Sequence, residues 1–185
     1  MYIVITAMFS ALLVGGKQAL AVIPNVEVVT ILIALCAYVW GLGVCLPAVF
    51  VFIACDVAIH GVQTWVISYV IHWNVVAIAF WLLSKIKTGK VLTAVLATAV
   101  ATILTAMFGV LTSFVDVCIG YVGGEGFFFD LENIGKRFVA MYVAGIAFYV
   151  THVICNFSLF AVAFVPLQKI NQKAKLRLFD DKNNI

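Results

Sequence analysis

The hydrophobic residues of this chain fall into six long runs, separated by short stretches that are richer in glycine, proline and charge. A helix needs roughly 20 apolar residues to cross the hydrocarbon core of a bilayer, so such runs predict transmembrane helices. The predicted helices cover residues 2–22, 26–40, 45–59, 65–84, 91–117 and 138–165, and a tail follows at 166–185. Helices two and three are short, and a single re-entrant pair is an alternative interpretation there.

The composition predicts that most of the protein's surface faces lipid. Of 185 residues, 65% are hydrophobic and 10% are charged, whereas soluble domains are about 45–50% apolar and about 25% charged. The sequence therefore predicts an all-α membrane protein with a single transmembrane domain, 1–185. The first run lacks the basic start and the cleavage site of a signal peptide, so we interpret it as a retained membrane helix.

The basic residues predict the orientation, because Lys and Arg accumulate in cytoplasmic loops. They are concentrated after helix four and in the tail: Lys85, Lys87, Lys90, Lys169, Lys173, Lys175, Arg177 and Lys182. The loop between helices five and six instead carries Glu125, Asp130 and Glu132. Six crossings then place both termini in the cytoplasm. The formal net charge of +3 is too small to indicate nucleic-acid binding.

Two predicted helices carry small residues at every fourth position, which gives a flat surface for close helix packing. The stripes are Ala7, Ala11, Gly15 and Ala19 in helix one, and Ala97, Ala101, Thr105, Gly109 and Ser113 in helix five. Packing inside the bundle is the ordinary explanation for both. The stripe of helix one also suits contact with a different protein.

Three ionisable residues are predicted near the outer ends of the helices, and each needs a partner or a purpose because charge is costly in lipid. Lys17 lies late in helix one, Glu27 follows the bend at Pro24, and Asp56 lies late in helix three. Pairing of Lys17 with Glu27 or Asp56 would pin the connection between helices one and two. The alternative is that all three line the rim of an outward-facing pocket.

Helix four combines aromatic and polar side chains on one face. Trp65, Tyr69 and His72 have the spacing i, i+4, i+7, and His60 precedes them. Interfacial aromatic belts are common and account for the first two without a ligand. For His72, a structural hydrogen bond and a ligand contact are equally good explanations.

Helix six repeats this combination of residues. Tyr142, Gly145, Tyr149, His152 and Asn156 fall on one stripe, which suits the wall of a ligand cavity. It also suits hydrogen bonding between helices. We predict that the two tyrosines contact a ligand and that His152 and Asn156 are structural.

The outer loop at residues 121–133 has the sequence YVGGEGFFFDLEN. Three glycines followed by Phe127, Phe128 and Phe129 suit a mobile lid over a hydrophobic site. The alternative is a loop that dips its phenylalanines into the membrane interface.

Motifs for catalysis or for energy coupling are missing from the sequence. There is no GxxxxGK[ST], HExxH or GxSxG, and the five cysteines have neither CxxC nor metal-ligand spacing. We therefore expect no enzyme activity, cofactor, metal site or disulfide. The chain is predicted to bind a molecule without driving it across the membrane.

Two segments resemble a known family, the S-components of energy-coupling factor (ECF) vitamin transporters. The sequence AMFSA at residues 7–11 resembles the family's AxxxA contact motif, and KQALAVIPNVEVVT at 17–30 resembles a segment found between its first two helices. The length, the helix count and the cytoplasmic termini also fit, so the resemblance covers essentially the whole chain.

The resemblance implies a six-helix bundle in a bacterial cytoplasmic membrane that captures a vitamin near its outer face. It implies docking through Ala7 and Ala11 onto a transmembrane coupling protein that carries two cytoplasmic ATPases. Gly15, on the same stripe, is a further candidate for this contact, and Asn25 is a further candidate binding residue.

Cobalamin is the vitamin that the PNVE segment favours. A corrinoid would suit a wide mouth ringed by Trp65, Tyr69 and Phe127–Phe129. His60 or His72 is a candidate cobalt ligand. Pantothenate, a queuosine precursor or another small vitamin is the alternative. A structural membrane protein whose polar stripes only hold helices together is a different class of function.

Overall fold

A computed structural model describes the backbone of residues 1–121, 127–129 and 134–180, and the side chains of 1–119 and 134–179. The described residues form six α-helices: α1 (Tyr2–Leu20), α2 (Val29–Trp40), α3 (Leu42–His60), α4 (Thr64–Leu83), α5 (Lys90–Cys118) and α6 (Ile134–Asp180). Two short antiparallel strands, β1 (Ile119–Tyr121) and β2 (Phe127–Phe129), follow α5. The prediction of a helical membrane protein agrees with this architecture.

Helix α2 is the centre of the bundle. Ten of its twelve residues are buried, and it packs against α1, α3, α4 and α6. A helix that is hydrophobic on every side is stable only when other elements surround it. The sequence of α2, VTILIALCAYVW, meets this condition because it has no charged face.

The helices alternate in direction, which gives the bundle two distinct ends. At one end, Lys17 of α1 bonds to Asp56 of α3; we call this the aromatic end because of the residues described below. At the other, the basic end, the Tyr2 and Phe179 rings lie 5.5 Å apart, so the start of α1 meets the end of α6. The first and last described helices therefore place their outer ends on the same side of the bundle.

Two features differ from the predicted helix boundaries. Residues 166–180, predicted as a tail, continue α6 through Pro166, so this helix has 47 residues. Helix α2 has 12 residues, or about 18 Å at 1.5 Å per residue, which is short of a hydrocarbon core about 30 Å thick. Five of the described helices are long and apolar enough to cross a membrane. Since protein surrounds α2, lipid thickness does not set its length.

The two stripes of small residues have opposite environments. On α5, Ala97, Ala101 and Thr105 are at most 1% exposed and pack inside the bundle. On α1, Ala7 and Ala11 are exposed to the surroundings. Packing within the bundle therefore explains the α5 stripe and leaves the α1 stripe without a covering helix in the described part of the chain.

Large apolar side chains cover the outside of the bundle. Ile3, Val91 and Val162 are more than three-quarters exposed. In water a protein with such a surface would aggregate, whereas in a bilayer the same side chains contact apolar lipid tails. Together with the five candidate spans, this surface makes the chain a multi-pass helical membrane protein.

The connection between α2 and α3 depends on one glycine. Gly41 has φ +85° and ends one helix while preceding the next. A side chain in this backbone region is strained by about 1–3 kcal/mol, so Gly41→Ala is expected to lower the unfolding temperature in detergent. Gly43→Ala is the matched control, because a Cβ there meets nothing within 4 Å. Equal unfolding temperatures for the two variants would contradict this role of Gly41.

Candidate ligand-binding site

A cavity of about 340 Å³ opens at the aromatic end of the bundle. Its wall is formed by the last turn of α1, the connection at residues 21–28, the last part of α3 and the first half of α4. Phe108 of α5 and His152 of α6 close the remaining side. We call it the aromatic cavity, since Phe52, Trp65, Tyr69, Trp73 and Phe108 contribute five rings to its wall.

Lys17 and Asp56 form an ion pair at this cavity. The Lys17 ammonium bonds to Asp56 Oδ2, and the Asp56 side chain is 1% exposed. The ammonium also lies 4.7 Å from the Trp65 ring centroid and 4.6 Å from that of Tyr69, within the range of cation–π attraction. With its side chain 21% exposed, Lys17 is positioned to donate a hydrogen bond to a molecule in the cavity.

Glu27 connects the floor of the aromatic cavity to α6. Its carboxylate accepts hydrogen bonds from the Thr30 N–H (2.8 Å) and the Asn156 amide (2.8 Å), and it lies 3.1 Å from His152 Nε2. The group lies in the connection before α2, outside the candidate spans. Desolvation there raises the pKa of Glu27. The hydrogen bonds and the electrostatic attraction of His152, together with two hydrogen bonds from Thr30, outweigh this effect and lower the pKa to about 2. The carboxylate is therefore ionised and holds α2 and α6 together.

The aromatic rings form a continuous wall. The ring centroids of Trp65 and Tyr69 lie 4.9 Å apart, and those of Tyr69 and Trp73 lie 5.5 Å apart. Phe108 lies 6.0 Å from the Trp73 ring and nearly parallel to it. The buried indole N–H of Trp73 has no acceptor among the described residues. The wall therefore offers flat aromatic faces for stacking.

Four of the nine predicted binding residues line the aromatic cavity: Asn25, His60, Trp65 and Tyr69. Asn25 has φ 59°, a left-handed conformation that asparagine adopts more readily than most residues. His72 is 4% exposed and lies behind the wall against Trp73 and Phe108. The side chains of Phe127 and Phe128, and most of the predicted lid, lie outside what the structure describes.

Tyr142 and Tyr149, predicted from their stripe on helix six to contact a ligand, are not among the residues that line this cavity. Tyr149 lies between α5 and α6, and its hydroxyl is 2.8 Å from Ser113 Oγ. A Cβ at Gly109 or Gly145 would approach the Tyr149 ring to 2.7 Å or less, so both glycines make room for it. Tyr142 stacks on Tyr149 at 5.4 Å. The tyrosines therefore serve helix packing.

Sequence reasoning missed Phe52, Trp73 and Phe108 as cavity residues. All three stand in apolar runs, where an aromatic residue that lines a cavity has the same pattern as one in the core. His152 was predicted to be structural; it bonds to Glu27 and also reaches the cavity wall. The predicted pairing of Lys17 was left open between Glu27 and Asp56, and the structure places it on Asp56.

The aromatic cavity has groups that can bind a small molecule. It combines stacking faces with the ammonium of Lys17 and the amide of Asn25, which suit a small, flat molecule that carries hydrogen-bond acceptors. Among the described residues, no group of three or more His, Cys, Asp or Glu side chains is arranged to hold a metal ion. Comparison with protein-family models, with curated proteins and with solved structures found no match.

Proposed function

We propose that this chain is the substrate-capture subunit of an ATP-driven ECF-type vitamin importer in a bacterial cytoplasmic membrane. The geometry of the aromatic cavity supports this function most directly: it opens at one end of the bundle and offers rings and polar groups to a small molecule. In this proposal the basic end faces the cytoplasm, in keeping with the lysine bias, and the aromatic cavity faces outward.

The exposed stripe of α1 supports the partner that this function needs. Ala7, Ala11 and Gly15 form a flat exposed strip, and a Cβ at Gly15 would meet nothing within 4 Å. Small residues on a lipid-exposed face allow another transmembrane helix to approach closely. The proposed occupant is the transmembrane coupling protein, with two cytoplasmic ATPases attached to it.

The size of the aromatic cavity bears on which vitamin is captured. Pockets for small ligands enclose roughly 300–1,000 Å³, and a cavity of about 340 Å³ is at the low end of this range. Only part of a corrinoid would be enclosed, whereas pantothenate or a queuosine precursor would be covered more completely. Among the described residues, the cavity therefore favours a small vitamin or precursor over cobalamin.

Binding of a vitamin panel to the detergent-purified chain tests this function. Titration calorimetry with pantothenate, queuosine precursors, cobalamin and other vitamins is expected to give strong binding for one compound. Trp65→Ala should weaken that binding at least about tenfold, since a stacked ring contributes on the order of 1 kcal/mol beyond the area it buries. Trp81→Ala is the matched control, because Trp81 lies at the basic end, with the Lys85 ammonium over its ring, and does not line the aromatic cavity.

A structural membrane protein would give a different pattern. No compound would bind, and Trp65→Ala and Trp81→Ala would alter only the unfolding temperature. That result, obtained with a chain shown to be folded, would contradict the capture function.

A further inference from the structure

A second cavity, larger and more open, lies at the basic end of the bundle. It encloses about 750 Å³ between the end of α4, the start of α5 and the last part of α6. Its polar wall includes Lys87, Lys90, Lys169, Gln168, Gln172 and Thr88. We call it the lysine cavity. It shares no lining residue with the aromatic cavity.

The charge in the lysine cavity is uncompensated within the described part of the chain. Three of the ten lining residues are lysines and none is acidic. The carboxylates that the structure describes, Glu27 and Asp56, lie at the aromatic end together with Asp116, which bonds to Thr64 at the start of α4. No ion pair of Lys87, Lys90 or Lys169 occurs among the described residues. The three lysines that line this cavity therefore have no acidic partner among the side chains that the structure describes.

The wall between the lysines is held in place by hydrogen bonds. The Thr88 and Thr93 hydroxyls lie 2.8 Å apart, and Thr93 donates to the Gly89 carbonyl at 3.0 Å. These bonds tie the turn that carries Lys87 to the first turn of α5. Thr88 and Gly89, which make these bonds, lie between Lys87 and Lys90 in the sequence, so the bonds fix the backbone that joins the two lysines.

We propose that the lysine cavity binds a phosphate group. Several ammonium groups around one space recognise a multiply coordinated anion, and side-chain amides and hydroxyls supply further donors to its oxygens. Basic pockets between transmembrane helices bind the head groups of anionic lipids, and the exposed Ile86 in the wall offers apolar surface to the acyl part. The phosphate belongs either to an anionic phospholipid or to a soluble phosphate compound.

Native mass spectrometry of the full chain in detergent tests this site. The delipidated protein is mixed with phosphatidylglycerol or with phosphatidylcholine, each with and without inorganic pyrophosphate, and bound molecules are counted. The double variant Lys87→Gln/Lys169→Gln is compared with Lys85→Gln/Lys173→Gln. The second pair removes the same charge from the same end, but neither residue lines the cavity.

A lipid head-group site is established if the retention of phosphatidylglycerol falls at least about fivefold in Lys87→Gln/Lys169→Gln and does not fall in the control pair. Pyrophosphate adducts that are lost in the first pair only, without retention of the lipid, establish a site for soluble phosphate. Equal binding by both double variants, or equal losses in both, would overturn the proposal. Equal retention of the two lipids would also overturn it, unless pyrophosphate adducts are lost in the first pair alone. The unfolding temperature of each variant is measured alongside, and a low value shows that a loss of binding comes from misfolding. In that case the single variants are tested in place of the double ones.

Discussion

Replacing Glu27 by alanine is expected to destabilise the bundle by about 3 kcal/mol or more. The substitution removes the carboxylate to which the Thr30 N–H, His152 Nε2 and the Asn156 amide bond. Each buried polar group without a partner costs about 1–3 kcal/mol. Because Glu27 also lines the aromatic cavity, ligand binding should be lost together with stability. Thermal unfolding in detergent and calorimetry measure the two effects.

Two further variants test whether the effect comes from the Glu27 carboxylate itself. Glu27→Gln keeps one acceptor oxygen and should give an intermediate loss of stability. Thr151→Ala is the control on α6, because the exposed Thr151 hydroxyl bonds only to the carbonyl of its own helix at Ala147. An unfolding temperature for Glu27→Ala equal to that of Thr151→Ala would show that the network around Glu27 does not stabilise the bundle.

If the chain has the proposed capture function, replacing Ala11 by tryptophan is expected to remove the coupling protein and the ATPases that purify with it. The indole would stand up from the flat strip of α1 and hold the partner helix away, at the cost of the close packing that small residues permit. A loss of roughly 1.4 kcal/mol already weakens association tenfold, and a clash along the strip should exceed that. Affinity purification from cells, with quantification of the ATPases, measures the change.

Leu12→Trp is the matched control for this prediction. Leu12 is 46% exposed and neighbours Ala11, but it lies outside the stripe of small residues. Both variants should bind the vitamin normally, since neither residue lines the aromatic cavity. Equal recovery of ATPases with the two variants would show that the stripe is not the contact surface, and the capture function would then need another partner face.

The helices could be predicted closely because lipid imposes a simple rule on their length and composition. Helix α5 was predicted at 91–117 and spans Lys90–Cys118. The rule fails where lipid is not the solvent. The last part of α6 lies beyond the apolar run and carries Lys169, Lys173 and Lys175. It is nevertheless helical, and its Phe179 packs on Tyr2 of α1, a contact that no local pattern predicts.

The candidate site was harder to predict because contacts between distant helices decide it. The i, i+4 spacing of Trp65 and Tyr69 correctly placed both on one face, and they line the cavity together. The same kind of spacing placed Tyr149 on a stripe with His152. The Tyr149 ring nevertheless packs against Gly109 of α5, where only a residue without a Cβ leaves room for it. Glu27 and Asn156 are 129 positions apart, and no local pattern indicates that they pair.

The distribution of the four tryptophans has a practical consequence. Trp65 and Trp73 stand in the wall of the aromatic cavity, whereas Trp40 and Trp81 lie toward the basic end near lysine side chains. Two of the four indoles therefore lie where a molecule in the aromatic cavity would contact them. Once Trp40 and Trp81 are replaced by phenylalanine, emission would come from the cavity wall alone, and unlabelled protein would serve as its own optical sensor.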